Sequence, residues 1–104
     1  MIVRKSPSEL EKMRKAGLLV YDVLQRLSPM VVEGATTMDL EVEAARMISD
    51  AGAVPAFKGY WTQSAGSKYP WVLCTSVNEQ VVHGMPSART VFRTGDIVSI
   101  DTGA

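Results

Sequence analysis

Two stretches of this chain concentrate the side chains that could do chemistry. The first is Ser76-Val77-Asn78-Glu79-Gln80-Val81-Val82-His83-Gly84-Met85-Pro86, which holds the only histidine. The second is Gly95-Asp96-Ile97-Val98-Ser99-Ile100-Asp101, a β-prone run that ends in a carboxylate. Ile97, Val98 and Ile100 can anchor that run in a core and so hold Asp101 at the end of a stiff strand. Taken alone, these residues also have plain structural explanations. Asp101 serves as a turn or capping aspartate before Thr102-Gly103, and His83 as a satisfied histidine at a strand end. Asp96 follows Gly95 in a turn and is solvated. Asp96 and Asp101 make a poor carboxylate pair, because five-residue spacing on a strand puts them on opposite faces. Cys74, between Leu73 and Thr75, is a packing residue rather than a nucleophile, since no second histidine exists to pair with it.

Elements around these stretches must position them. Ser6-Pro7-Ser8-Glu9 forms a capping box with proline at the first helical position. Leu10, Met13, Gly17, Val20, Tyr21, Leu24 and Leu27 then recur at spacings of three and four, one apolar stripe on an amphipathic helix. Pro29 ends it at Ser28. Glu33 to Thr36 is a turn, and a second helix starts near Thr37 as N-cap, with Asp39 and Glu41 in its first turn. Met38, Val42, Ala45 and Ile48 supply its buried stripe, and Gly52 fits the left-handed position past its end. Val54 to Tyr60 is an edge strand or extended loop, and Trp61 to Lys68 a surface loop. Trp71 to Ser76 and Gln80 to His83 form two strands turning around Asn78, and Ile97 to Asp101 a further strand. Helices first, then hairpin-joined strands, predict an α+β fold with two helices on one face of a largely antiparallel sheet.

Composition narrows the classes. Residues 1–104 suffice for a single domain with one core. Hydrophobic residues at 46% with zero net charge argue against global disorder. Lys+Arg and Asp+Glu balance at 11 each, so no strong field favours nucleic acid or an anionic membrane. Arg4, Lys5, Lys12, Arg14 and Lys15 cluster early, but Glu9 and Glu11 interleave with them as on a solvated helix face. With one cysteine no intrachain disulfide forms, as in a reducing cytoplasm. Neither a signal peptide nor a membrane span is expected from the apolar runs.

The two chemistry-bearing stretches, in this order, resemble the type I methionine aminopeptidase pattern Ser-(Ile/Val)-Asn-Glu…His-Gly-apolar-Pro followed by Gly-Asp and an apolar strand ending in Asp. The resemblance extends upstream through the capped first helix, the Gly34-Ala35-Thr36-Thr37 turn and Gly52-Ala53-Val54-Pro55-Ala56-Phe57-Lys58-Gly59-Tyr60. It implies the N-terminal half of a pita-bread fold, in which two similar halves are related by a pseudo-twofold axis. The implied activity is removal of the initiator methionine from nascent polypeptide N-termini. Two divalent metal ions (Co, Mn, Fe or Zn) are the implied cofactors, polarising the carbonyl and activating a water. On that resemblance Asp101 is a metal ligand, His83 contacts the substrate beside the scissile bond, and Phe57 and Tyr60 line the methionine pocket, where a thioether packs well on aromatic rings. Trp61 stands where many members have histidine, in a longer stretch than compact members have. Another pita-bread hydrolase, such as a proline-specific or creatinase-like enzyme, fits the Asn78-Glu79…His83-Gly84…Pro86 run less well.

The same resemblance implies five metal ligands, of which this chain carries Asp101 alone. The next strand would supply a second aspartate, and a histidine and two glutamates would follow in the second half. One carboxylate holds a transition metal weakly. The expectation is therefore a half-site whose last strand offers an unpaired edge, giving a homodimer or a complementing second half. The alternative function is a catalytically inactive half-fold acting as a self-associating or binding module.

Overall fold

Ser6 starts the first helix as its sequence dictates. Its hydroxyl accepts from the Glu9 N–H at 3.2 Å, and the Glu9 carboxylate accepts from the Ser6 N–H at 3.0 Å. The helix, α1, runs Pro7–Leu27 in the computed structural model, which describes residues 1–63 and 66–104. A 3₁₀ turn at Ser28–Met30 follows, where Pro29 stops the helix. The second helix, α2, spans Thr37–Asp50, and its N-cap is Thr36 rather than Thr37. Thr36 and Asp39 form a second capping box: the Thr36 hydroxyl accepts from Asp39 N–H at 3.1 Å, and Asp39 accepts from Thr36 N–H at 2.8 Å. Gly52 adopts the expected left-handed φ, at 69°.

Thr37 is thereby released for a different task. Its hydroxyl accepts from the Ser87 N–H at 2.8 Å and donates to the Ser87 carbonyl at 3.1 Å. This pair of hydrogen bonds ties the start of α2 to the segment that leads into β4. Close by, the Phe92 N–H donates to the Ala35 carbonyl and the Gly34 N–H to the Phe92 carbonyl, at 2.8 and 3.0 Å. Phe92 is thus delivered into the core beside Val23, Leu27, Leu40, Ala44, Ile48, Val72 and Leu73.

Among the described residues four short strands follow the helices: β1 Trp61–Thr62, β2 Ser67–Lys68, β3 Leu73–Val77 and β4 Val98–Thr102. They pair antiparallel in two separate ladders, β1 with β2 and β3 with β4. The architecture is α+β, with α1 packed on α2 and α2 on β3. Of the two alternatives for Val54 to Tyr60, the structure takes the loop, rich in turns and without strand. Two details differ from the sequence reading. The loop expected over Trp61 to Lys68 carries the β1–β2 hairpin, of which Ser64 and Ala65 lie outside the described residues. Gln80 to His83 forms no strand, because its side chains have no face to bury: Val81 and Val82 are exposed and His83 has a left-handed backbone.

The helix stripes also shift. In α2 the buried face is Thr37, Leu40, Glu41, Ala44 and Ile48, and Val42 is exposed. In α1 the core receives Val23 and Leu27, with Leu19 packed against it. The remaining stripe, Leu10, Met13, Gly17, Tyr21 and Leu24, faces outward. Gly17 sits in its middle, where glycine costs roughly 0.5–1 kcal/mol against alanine. No other part of the described chain comes within 4 Å of where its Cβ would stand.

Glu41 is the charged residue drawn inside, at 5% exposure. Both carboxyl oxygens accept from the Val72 N–H, at 2.9 and 3.1 Å, and Oε1 also accepts from the Leu73 N–H at 2.9 Å. A helix side chain thus satisfies the two amides that precede and open β3. Glu41→Leu strands both donors at ~1–3 kcal/mol each and is expected to lower the unfolding free energy by roughly 2–5 kcal/mol. Urea titration followed by circular dichroism reads this, with a smaller loss for Glu41→Gln, which keeps one acceptor. An unchanged midpoint for Glu41→Leu would show that the carboxyl does not hold the strand.

Candidate functional site

The β3–β4 ladder fixes where the candidate residues stand. Its register pairs Leu73 with Thr102, Cys74 with Asp101, Thr75 with Ile100, Ser76 with Ser99 and Val77 with Val98. Along β4, Val98, Ile100 and Thr102 are half-buried while Ser99 and Asp101 are exposed. This alternation turns Ile100 toward the helices and Asp101 to the opposite face. Asp101, the penultimate residue of β4, is anchored by its neighbours. The Thr102 hydroxyl donates to the Val72 carbonyl at 3.2 Å, and the Gly103 carbonyl accepts from Ala56 N–H at 2.9 Å.

His83 is held from the other edge of β3. The Thr75 N–H donates to the Gly84 carbonyl at 2.7 Å, and the Ser76 hydroxyl accepts from the Gly84 N–H at 3.0 Å. Only glycine fits this approach, since a Cβ at position 84 would collide with the Thr75 carbonyl. His83 is exposed and has φ 59°, a left-handed conformation that a non-glycine residue keeps only when its surroundings impose it. Gly84 and Ile100 thus flank Thr75, about 10 Å apart across two strand spacings. His83 and Asp101 are each one residue removed from these two positions.

The loop carrying His83 is closed by its own side chains. Gln80 Oε1 accepts from the Val77 N–H at 3.0 Å. Asn78, at φ 53°, donates through Nδ2 to Asp96 at 3.0 Å and accepts from the Ile97 N–H at 3.0 Å. Asp96 also accepts from the Arg93 N–H at 2.8 Å. The Asn78 side chain and then the Arg93 amide hold its carboxyl below the ordinary value of 3.8. Asp96 is therefore a half-buried partner in a clip rather than the solvated turn residue expected from sequence.

Phe57 and Tyr60 share one turn, with Tyr60 N–H donating to the Phe57 carbonyl at 3.0 Å. Phe57 is half-buried and Tyr60 is 66% exposed. Their loop reaches the Asp101 end of the sheet through the Ala56–Gly103 bond. The β1–β2 hairpin grows from the same place: Tyr69 N–H donates to the Tyr60 carbonyl and Gly59 N–H to the Tyr69 carbonyl, at 2.8 and 2.7 Å. Sequence reasoning passed over Tyr69, whose hydroxyl donates to the Leu73 carbonyl at 2.8 Å. Burial, followed by the nearby Cys74 thiol and the Glu41 carboxyl, pushes the Tyr69 phenol up. Cys74 is buried in β3, in a packing position. A cavity of about 390 Å³ lies between α2 and the following loop, lined by Ile48, Pro55, Lys58 and Val72 among others, and none of the four candidate residues reaches it.

Comparison with known proteins gives this arrangement its context. The model of metallopeptidase family M24 matches residues 11–104. The chain belongs to metallopeptidase family M24. Among its relatives, a methionine aminopeptidase of Aquifex aeolicus is 44% identical over 95% of this chain and 38% of its own length. One of Clostridium acetobutylicum is 42% identical over 100% of this chain and 39% of its own. The crystal structure of methionine aminopeptidase from Thermotoga maritima superposes with a TM-score of 0.88 at 44% identity, covering 98% of this chain and 39% of that one. This M24 chain therefore spans about two fifths of the length of the relatives it matches.

Membership in a metallopeptidase family raises the question of whether the donors present suit a metal centre. Among the described residues, no three of His, Cys, Asp or Glu come together as a metal-holding group. Asp101 stands opposite a buried thiol and two residues from Ser99, a donor set too small for a pair of divalent ions. These residues do not fit a complete centre by themselves.

Gly84→Ala is expected to cost about 1–3 kcal/mol by forcing the loop off β3. In hydrogen exchange, the Thr75 and Gly84 amides would lose protection while those of α1 and α2 keep theirs. Retained protection at Thr75 would contradict the close approach. The Asp96 clip has its own pH signature. Its folded carboxyl lies below 3.8, so its stabilisation is complete above 3.8 and lost as pH falls through the lower folded value. The stability gap between wild type and Asp96→Asn should therefore be full near neutrality and close well below pH 3.8 in acid titrations followed by thermal unfolding. A gap that stays constant would show that the Asp96 charge is not what the clip uses.

Proposed function

We propose that this chain acts in the removal of N-terminal methionine from nascent polypeptides. It would supply His83 beside the scissile peptide, Phe57 and Tyr60 around the methionine side chain, and Asp101 as a ligand to divalent metal. The observation that carries this reading is the clamp on His83. A left-handed histidine held by Gly84 against one edge of β3, with Asp101 on the strand at the other edge, is a costly arrangement that packing alone does not require. The family and its methionine aminopeptidase relatives support the choice of reaction.

In this reading the chain's own residues bind and orient. Exposed Tyr60 and half-buried Phe57 offer an aromatic wall to a thioether. The exposed His83 ring presents a hydrogen-bonding nitrogen to a peptide lying across β3. Co, Mn, Fe or Zn would supply carbonyl polarisation and an activated water, with further ligands from outside these residues. We take residues 1–104 as one domain, the N-terminal half of a catalytic unit working in the cytoplasm. A free buried cysteine suits a reducing compartment, and among the described residues no helix is long and apolar enough to cross a membrane. The outer edge of β4 has no partner strand among the described residues, which supports either a complementing second half or a second copy at that edge.

The test is methionine release from a Met-Ala-Ser peptide with Mn or Co titrated in. Alone, the chain is expected to release none. Adding a polypeptide that covers the remainder of a relative's length should restore metal-dependent release. His83→Ala in that mixture should lower the rate by about 10²–10⁴-fold, and Asp101→Ala should abolish the metal-dependent release. No release with a bound complement would sink the catalytic reading and leave a non-catalytic binding module. Release by the chain alone would overturn the donor argument.

A further inference from the structure

The edge of β3 that faces away from β4 has no strand beside it among the described residues. In an antiparallel ladder every second residue turns its N–H and C=O to the same edge, and on this edge these are Leu73, Thr75 and Val77. Each is capped individually. The Leu73 N–H donates to Glu41 at 2.9 Å, and its carbonyl accepts from the Tyr69 hydroxyl at 2.8 Å. The Thr75 N–H donates to the Gly84 carbonyl at 2.7 Å. Val77 is served twice by one residue: the Gln80 N–H donates to its carbonyl at 3.1 Å, and Gln80 Oε1 accepts from its N–H at 3.0 Å.

A carboxamide is a side-chain copy of the peptide group. Gln80 uses it where a neighbouring strand would use its backbone, because the main chain leaves this edge on its way to His83. The partner settles which end of the amide is which: an N–H can be met only by the oxygen, so Oε1 rather than Nε2 lies at Val77. That oxygen also stands 2.9 Å from where a Cβ of Gly84 would be, on the glycine already pressed against the Thr75 carbonyl. Gly84 is therefore seated between β3 and the Gln80 carboxamide. The Val81 and Val82 side chains in between are 83% and 65% exposed and anchor nothing. Asn78 fixes where the loop begins, and the seat of Gly84 fixes where it ends. His83 is the residue next to that seat, and its φ of 59° has to be imposed from outside.

We propose that Gln80 is a positioning residue for His83. Its carboxamide keeps Gly84 seated on β3 and so holds His83 in the left-handed conformation from which its ring is offered to the polypeptide. This rests on the reading of His83 as the residue beside the scissile peptide. Gln80 itself touches neither the substrate nor a metal. A side chain that acts through another leaves three marks: loss when its acceptor is removed, rescue by another acceptor, and no effect once its target is gone.

The test compares Gln80→Leu, which removes the acceptor, with Gln80→Glu, which keeps it. Gln80 is exposed, so both variants should stay folded, which circular dichroism checks. His83 is the sole histidine, so its nuclear magnetic resonance signals are assigned directly. In the chain alone, the carbon-13 shifts of His83 Cα and Cβ, which report its backbone conformation, should move toward random-coil values in Gln80→Leu and stay in place in Gln80→Glu. In the mixture with the complementing polypeptide, Gln80→Leu should lower kcat by about 10- to 100-fold with KM changed by less than about twofold, and Gln80→Glu should recover most of the loss. Added to His83→Ala, Gln80→Leu should lower kcat no further. Unchanged His83 shifts in Gln80→Leu overturn the proposal and leave Gln80 as a cap on β3 alone. An equal loss of kcat with and without His83 overturns it as well. A mixture that releases no methionine counts against the catalytic reading, while the His83 shifts still decide whether Gln80 sets the loop.

Discussion

One buried carboxyl organises the rest. Glu41 brings two acceptor oxygens from α2 to the first two amides of the β3 segment, which would otherwise be orphaned inside the protein. Helix and strand are joined by hydrogen bonds as well as by apolar packing, and hydrogen bonds have direction. They set where Val72 and Leu73 lie along α2, and from there the ladder sets Cys74 against Asp101 and Thr75 against Ile100. Moving β3 by one residue would break three bonds to Glu41 and exchange the faces of every side chain from Leu73 to Val77. The positions of Asp101 on one edge and of the Gly84 clamp on the other both follow from this contact.

Local chemistry was the legible part of the sequence. Ser6 and Glu9 announce a helix start because each satisfies the other's backbone, whatever the tertiary surroundings. Gly52 and the strand carrying Asp101, which runs one residue further to Thr102, belong to the same class. The faces were harder to read. Apolar residues cover more than half the circumference of α1, so periodicity alone allowed one broad stripe where the structure has two, one turned to α2 and one outward. In α2 the true face contains Thr37 and Glu41, residues that count as polar in any pattern of hydrophobicity. Both are buried because backbone groups distant in sequence, at Ser87 and at Val72, complete their hydrogen bonds.

The candidate site divides along the same line. The strand that carries Asp101 could be read from its β-prone run, whereas the role of Asp101 as a metal ligand rests on the family resemblance alone. The backbone of His83 could not be read, because Val81 and Val82 beside it look like strand residues. What prevents a strand is the Gly84 contact with Thr75 together with the Asn78 clip, and both involve partners outside the run. Asp96 was misread for the same reason, since its partner Asn78 is a neighbour only once β3 and β4 have paired.

The contact between Thr37 and Ser87, and the insertion of Phe92 beside Ala35, also bear on the order in which the molecule assembles. Both link the start of α2 to residues fifty or more positions later. The two helices can form early from their own capping boxes, but the wall of their core that Phe92 supplies arrives only once residues 87–93 are available. Loop closure over that distance slows folding relative to helix formation, since its entropic cost falls due before the contact rewards it. During synthesis the paired helices would thus wait with Leu27 and Leu40 incompletely covered. Docking of residues 87–93, rather than helix growth, would set the pace at which the protein becomes rigid.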